Sequence, residues 1–354
     1  MIVYVGTYTG PGKAEGISVF RMDETTGALS AVQTVTGVDN PSFLTLHPQQ
    51  PYLYAVNETP ENEGSPGVSA FAVDPGSGQL TPLNRQPSHG TSPCYVSVDP
   101  TGRYVLVANY GNGTLAVFPV QPDGTLGEAS HVVQHSGSGP NPRRQQGPHA
   151  HSVRFDPGGR FVLSCDLGID KVLVYRLDTA SGQLVVNDPP HASAVPGGGP
   201  RHLDFHPNGR YVYVNNEIGS SLTPFAYDGT RGALEQLETV STLPDDFSGN
   251  NSTAQVVVHP TGRFVYVSNR GHDSIASFAV EKDGARLTPL GHTPTQGRTP
   301  RNFNVDPSGT FLLAANQNGN NIVTFRVDQV HGKLTPTGQV TETPAPVCII
   351  FRSA

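Results

Sequence analysis

Nowhere in this 354-residue chain do eighteen apolar residues run together, so no membrane-spanning helix is expected. Cysteine is scarce: Cys94, Cys165 and Cys348 are odd in number and far apart, which gives neither a disulfide framework nor a metal knuckle. A reducing cytoplasm is the expected setting, and the stretch 1–9 reads as a strand, without the basic region and cleavage site of an export signal. Positive charge is also in deficit. Lys and Arg number 22 against 29 Asp and Glu, a net charge of -7 that argues against nucleic acid as the main partner and makes any cationic site local. Hydrophobic content is only 36%, low for a chain of this length, which points to many thin core layers instead of one thick one. Two catalytic signatures are missing as well. No Gly-x-Ser-x-Gly elbow singles out a serine nucleophile. The Gly197-Gly198-Gly199 run precedes a strand and lacks the Lys-Ser or Lys-Thr of a phosphate loop.

Glycine and proline, in contrast, are abundant, at 40 and 32, and they sit mainly between strand-like runs, as an all-β chain rich in turns requires. One phrase recurs at intervals of about fifty residues. An aromatic among β-formers (Phe20, Phe71, Phe118, Tyr175, Phe225, Phe278, Phe325) is followed by a Gly-containing turn and a leucine (Leu29, Leu80, Leu126, Leu184, Leu234, Leu287, Leu334). A second phrase, Asp-Pro or His-Pro, a turn, then an alternating apolar run ending in Asn or Asp, occupies 47–58, 99–110, 156–167, 206–217, 259–270 and 306–317. Its missing seventh copy is divided between the ends: 2–8 matches the strand after the turn, and 346–351 the strand before it. The expectation is therefore all-β: a single domain, 1–354, forming a seven-bladed β-propeller with four antiparallel strands per blade. The C-terminal strand would join the N-terminal strands in one blade and close the ring. A closed ring needs no partner for stability, so a monomer is the default and a dimer remains open.

The turns between strands one and two and between three and four are short in every repeat and mark one face. The other face carries connections of irregular length, the longest over about 131–148 with Arg143 and Arg144 in it, and a site is expected there. Aligned on the Asp-Pro or His-Pro turn, strand one ends on that face at Ser42, Cys94, His151, Arg201, Ala254, Arg301 and Val347, and strand two at Tyr8, Glu58, Tyr110, Leu167, Glu217, Arg270 and Gln317. The preceding asparagines (Asn57, Asn109, Asn216, Asn269, Asn316, with Asp166 in the remaining copy) recur and read as structural, their amides bonding loop backbone. His47, His206 and His259 belong to the repeated turn and read the same way. His151, Arg201, Glu217, Arg270 and Arg301 break the repeat, and such charge at one mouth suggests an anionic ligand. The competing reading is a plug in which Glu217 pairs with Arg201 or Arg270. His149 and His151 share one side of a strand, but two imidazoles without a fixed third ligand favour proton transfer over metal.

The stretches Gly6-Thr7-Tyr8-Thr9, Asn109-Tyr110-Gly111, Pro148-His149-Ala150-His151, Gly199-Pro200-Arg201-His202-Leu203 and Asn216-Glu217 resemble the lactonase family of seven-bladed propellers, and the resemblance spans essentially the whole chain. That family includes bacterial 6-phosphogluconolactonases and fungal carboxy-cis,cis-muconate cyclases. The resemblance implies an active site of His149 or His151, Arg201, Glu217 and Arg270, and a small anionic sugar lactone as substrate. The blade alignment favours His151 over His149. On this expectation His151 or Glu217 activates water, Arg201 stabilises the oxyanion, and Arg270 and Arg301, with Arg143, Arg144 and Glu58 nearby, hold the phosphate. No cofactor or metal is called for. The alternatives are a cycloisomerase acting on a carboxylated muconate, or a non-catalytic binding scaffold.

Overall fold

The structure is a computed structural model that describes residues 1–60 and 64–353. Its strands form seven sheets, each ordered from the centre outward. In six of them, blades 2 to 7 in chain order (44–87, 93–134, 150–193, 200–241, 252–294 and 300–342), the strands follow one another in sequence. The remaining sheet, blade 1, takes its innermost strand from Pro346–Arg352 and its others from Ile2–Thr7, Gly16–Met22 and Leu29–Thr36. The antiparallel register Val3↔Phe351 and Val5↔Ile349 closes the ring, as the split copy of the second phrase implies. Blade 5 departs slightly from the plan, its outer strand being broken into Ala233–Gln236 and Val240–Ser241.

The seven repeated aromatics all lie on third strands and are buried. Each contributes to one of seven apolar clusters. Every cluster is shared by two adjacent blades, as where Val3, Val5 and Phe20 meet Phe311, Leu313 and Ile322. Both faces of a blade are therefore apolar, and neither is covered until its neighbours are in place.

Between these layers, polar latches repeat. Tyr4, Tyr54, Tyr213 and Tyr266 each donate a phenolic hydrogen bond to a turn glycine carbonyl of the next blade, at Gly78, Gly124, Gly284 and Gly332. The turn histidines act likewise: Nε2 of His47, His206 and His259 lies 2.9–3.0 Å from the carbonyls of Gly102, Gly262 and Gly309. A carbonyl only accepts, so Nε2 carries the proton, and Nδ1 is free to accept from the backbone of its own turn at Gln49, Asn208 and Thr261. Where the turn has aspartate instead, as at Asp99, Asp156 and Asp306, the carboxylate accepts backbone N–H groups of its own turn. Histidine thus joins two blades, and aspartate stabilises one.

Candidate active site

The geometry of the mouth begins with a defect in the ladder. In the innermost strands of blades 3, 4, 5 and 7 the pairing with strand two slips by one residue, from Pro93↔Asn109 to Tyr95↔Ala108, Ala150↔Asp166 to Ser152↔Cys165, Pro200↔Asn216 to His202↔Asn215, and Pro300↔Asn316 to Asn302↔Ala315. The extra residues are Cys94, His151, Arg201 and Arg301. Val347 occupies the same place in blade 1. A bulge leaves one residue outside the ladder and re-aims its side chain, so most of the positions picked out by the repeat alignment are bulges, whereas Ser42 precedes its strand, Leu44–Leu46. Proline precedes the bulged residue at Pro93, Pro200, Pro300 and Pro346 and, lacking an N–H, interrupts the ladder there.

The cavity at this mouth has a volume of about 310 Å³ and is lined by Glu58, Cys94, Tyr110, Arg144, His151, Glu217, Ser252, Arg270 and Arg301. Larger hollows lie elsewhere, for example 520 Å³ beside Thr25, Arg326 and Thr335, but they gather no comparable set of charged groups. Below the cavity Phe43, Tyr95 and His202 meet with ring centroids 4.1–5.6 Å apart. They come from blades 2, 3 and 5, Phe43 just ahead of its strand, and blades 2 and 5 are not neighbours, so these rings meet across the axis and floor the site.

Glu217 is the hub. Its Oε2 lies 2.8 Å from Arg201 Nε and 2.8 Å from Arg270 Nη2, its Oε1 lies 2.6 Å from Arg144 Nη2, and His151 Nε2 is 3.9 Å from Oε2. The competing expectation of mutual pairing is thus realised in these contacts, yet the guanidiniums of Arg144, Arg270 and Arg301 still line an open cavity. Burial alone would raise the Glu217 carboxyl; Arg270 and Arg201 overcome it and hold the group well below the usual carboxylate range. A second centre stands in blades 1, 2 and 7. Glu58 accepts hydrogen bonds from Tyr8 Oη, at 2.9 Å, and from Ser42 Oγ, and Arg301 Nη2 lies 3.6 Å from its Oε1 with the guanidinium over the Tyr8 ring. Four guanidiniums therefore surround two carboxylates, which leaves this corner of an acidic protein cationic.

The histidines divide by environment. His151 is buried at the cavity wall, and burial, followed by the neighbouring charge of Arg201, holds its imidazole well below its ordinary value, so it is neutral at pH 7. Cys94 Sγ lies 3.6 Å from its Nδ1, and burial pushes that thiol far up, so it stays protonated. His149 is not among the lining residues. Its ring stacks on Tyr110 at 4.5 Å and its Nδ1 lies 2.7 Å from the Tyr110 carbonyl.

Besides His149, two expected site residues sit differently from their assigned roles. Arg201 is buried beneath the lining: besides Glu217 it donates to the Ala254 carbonyl, and Nη1 stands 3.2 and 3.4 Å from the two nitrogens of His202, over the face of that ring. Burial and the nearby Arg270 bring it down to about 9, which still leaves it charged at neutral pH. With those contacts made, it orients Glu217 from below and does not face the cavity. Arg143 is exposed and also outside the lining. Asn141 Oδ1 accepts the backbone N–H groups of both Arg143 and Arg144, and this turn directs only the second guanidinium inward. Of the asparagines, Asn57, Asn109, Asn269 and Asn316 donate to loop carbonyls as expected, whereas Asn216 donates to the hydroxyls of Ser221 and Thr223. Tyr110 and Cys94, which no role was given, line the cavity, and both stood in the aligned rings of strand-end positions. Among the described residues no three His, Cys, Asp or Glu side chains converge into a metal-ligand set.

Comparison with known proteins gives the family. The profile described as "Lactonase, 7-bladed beta-propeller" matches residues 2–351. The chain is 40% identical over 305 residues to a 6-phosphogluconolactonase of Bacillus subtilis, covering 86% of this chain and 85% of that protein. It is 35% identical to a 6-phosphogluconolactonase of Formosa agariphila, covering 86% of each. A solved structure of the periplasmic gluconolactonase of Pseudomonas aeruginosa superposes with a TM-score of 0.94 at 35% identity, covering 99% of both chains. With its repeats, its closed ring and its bulge-lined mouth, the chain belongs to the seven-bladed β-propeller lactonase family.

Proposed function

We propose that the protein is a 6-phosphogluconolactonase, hydrolysing 6-phospho-D-glucono-1,5-lactone to 6-phosphogluconate, a reaction of the pentose phosphate route. The observation that carries this reading is the co-location, in one cavity of about 310 Å³, of a neutral buried imidazole with three inward-facing guanidiniums. The relatives named above support the substrate class. A lactone is a reactive ester, so a positioned water, one proton acceptor and stabilisation of the developing oxyanion suffice.

His151 takes the proton of water as the new carbon–oxygen bond forms at the ring carbonyl. Glu217, 3.9 Å from Nε2, stabilises the imidazolium so formed. The proton then passes to the ring oxygen as the ring carbon–oxygen bond breaks, and the product is the open-chain carboxylic acid, which ionises. Glu217 is a poor base in its own right, because the guanidiniums around it stabilise the carboxylate. Arg270, which lines the cavity where Arg201 does not, is the oxyanion donor. Arg144, at the rim with its side chain 41% exposed, and Arg301 hold the phosphate. The three free, buried thiols fit a reducing compartment, and no helix among the described residues is long and apolar enough to cross a membrane. A ring closed by its own two ends covers its apolar faces without a partner, so a monomer is the default assembly and a dimer the alternative.

The test is proton release on mixing the protein with freshly made 6-phosphogluconolactone, measured against spontaneous hydrolysis. Arg270→Ala is expected to lower kcat by roughly 10²- to 10³-fold, the usual loss for an oxyanion donor. Full activity in that variant removes Arg270 from the role. Turnover confined to a carboxylated muconate would replace the reaction with cycloisomerisation, and turnover of neither substrate with capture of a stable protein partner would make the propeller a scaffold.

A further inference from the structure

We propose that Asp170, which lies outside the cavity, fixes the spacing between Arg144 and Glu217 and thereby sets affinity for the phosphate end of the substrate; this rests on the lactonase reading above. Asp170 sits in the turn after the second strand of blade 4, at φ 51, and is buried. Its carboxylate joins two segments that otherwise belong to different connections. Oδ1 accepts from Gln145 Nε2 at 2.7 Å and from Gly199 N at 2.9 Å, and Oδ2 accepts from Gly197 N at 2.7 Å.

Both segments lead directly to the site. Gln145 follows Arg144 in the strap 135–149 and is fully buried; its Nε2 also donates to the Leu167 carbonyl at 2.8 Å, and its Oε1 accepts from Asn141 N at 3.0 Å. On the other side the Gly199 carbonyl accepts the backbone N–H of Glu217 at 2.7 Å. A continuous path of hydrogen bonds thus runs from the Gln145 side chain through the Asp170 carboxylate and the Gly199 backbone to Glu217. At the cavity it is closed by the 2.6 Å contact of Arg144 with Glu217. The Gly197-Gly198-Gly199 run, which is no phosphate loop, has its explanation here. Its N–H groups wrap the carboxylate, with φ at 74° and 66° for Gly197 and Gly199, and a Cβ on Gly199 would stand 2.9 Å from Ile218 Cδ1. Asp170 and Gln145 are positioning residues: neither lines the cavity, and they act through Arg144 and Glu217.

The experiment separates the strap from the rest. Gln145→Glu sets a second carboxylate against Asp170 and breaks only the strap side of the network. Steady-state kinetics are measured with 6-phosphogluconolactone and with unphosphorylated gluconolactone, in the otherwise wild-type full chain and in an Arg144→Ala background. The expected result is a KM for the phosphorylated lactone raised by roughly ten- to a hundred-fold with a much smaller change in kcat, the loss of one charge-assisted contact. The unphosphorylated substrate should be little affected, and in the Arg144→Ala background the substitution should add nothing. Equal effects on both substrates, or an effect that persists without Arg144, overturn the proposal. If Gln145→Glu does not fold, Gln145→Ala is judged by the same comparisons. If the wild-type protein turns over neither lactone, it is the function that fails. Amide hydrogen exchange of the substrate-free protein then decides the positioning role. Asp170→Asn should loosen both 135–149 and 197–199, Gln145→Glu only the former, and unchanged protection of the strap in both variants refutes it.

Discussion

His151 and Glu217 are both ionisable, both buried and 3.9 Å apart, yet their surroundings give them different chemistry. Three guanidiniums stabilise the Glu217 charge, whereas burial and the adjacent Arg201 keep the imidazole neutral. A neutral imidazole is the form that accepts a proton. Activity that depends on it should therefore persist as pH falls through 6.5 and decline only when His151 itself protonates, well below that value. We expect the acid limb of kcat/KM to lie below 6.5, and His151→Asn to lower kcat by roughly 10²- to 10⁴-fold. An acid limb at or above 6.5, measured with correction for spontaneous hydrolysis, would mean that another group is the base. At this scale the sequence already named His151, Glu217, Arg270 and Arg301, because each breaks a repeat that scaffold residues keep. It misread Arg201. Alignment fixes a position along the strand but not what lies above it, and Arg201 is covered by the salt bridges it helps to build.

Blades are joined at the level of elements by contacts that repeat with the sequence. The histidine of the His-Pro turn is such a device, and its site lies on the face opposite the cavity. His259, fully buried, lies 3.0 Å from the Gly309 carbonyl of the next blade and is bonded to its own turn through Nδ1. His259→Ala should lower unfolding stability by about 1–3 kcal/mol, the range for leaving buried partners unpaired, while kcat and KM stay as they are. Urea denaturation beside a lactonase assay measures both, and a loss of activity without a loss of stability would contradict the assignment. The bulges belong to this scale too. Their one signal in the sequence was proline ahead of the bulged residue, at Pro93, Pro200, Pro300 and Pro346, which a reading aligned only on the turns passes over. Blade 4 has Ala150 in that place and is bulged nonetheless, so the proline assists the slip and is not required for it.

For the molecule as a whole, a set of neutral buried imidazoles ties stability to pH. His151 and His202 are both held well below 6.5 in the fold, chiefly by burial and then by Arg201, and both regain an ordinary affinity for protons on unfolding. Below 6.5 the unfolded chain binds more protons than the folded one, so this contribution is complete above pH 6.5 and is lost progressively as pH falls beneath it. The melting temperature should accordingly drop between pH 7 and pH 5, before the carboxylates begin to protonate. The double variant His151→Asn, His202→Asn should flatten that slope, and an equally steep slope in the double variant would assign it to other groups. Ring closure acts on the same scale. Because Pro346–Arg352 pairs with Ile2–Thr7, the apolar faces of blades 1 and 7 are covered only when both ends of the chain are in place.

Period and pattern alone determined the number of blades, their four strands, the closing strand and the face that carries the site, because a repeat of this kind has one way to cover all its faces. They also determined which residues are exceptional, since scaffold duty recurs and function does not. Only the tertiary structure decided which exceptional side chains share the cavity. Arg144, far from Glu217 in sequence, reaches Oε1 because a strap is pinned by Gln145 to Asp170; Arg143 beside it is exposed outside the lining; and Arg201 is buried between the lining and the floor. These outcomes depend on bulges, on loop turns and on distances between blades that touch only across the central axis. Such quantities arise when the ring closes, and no local stretch of chain encodes them.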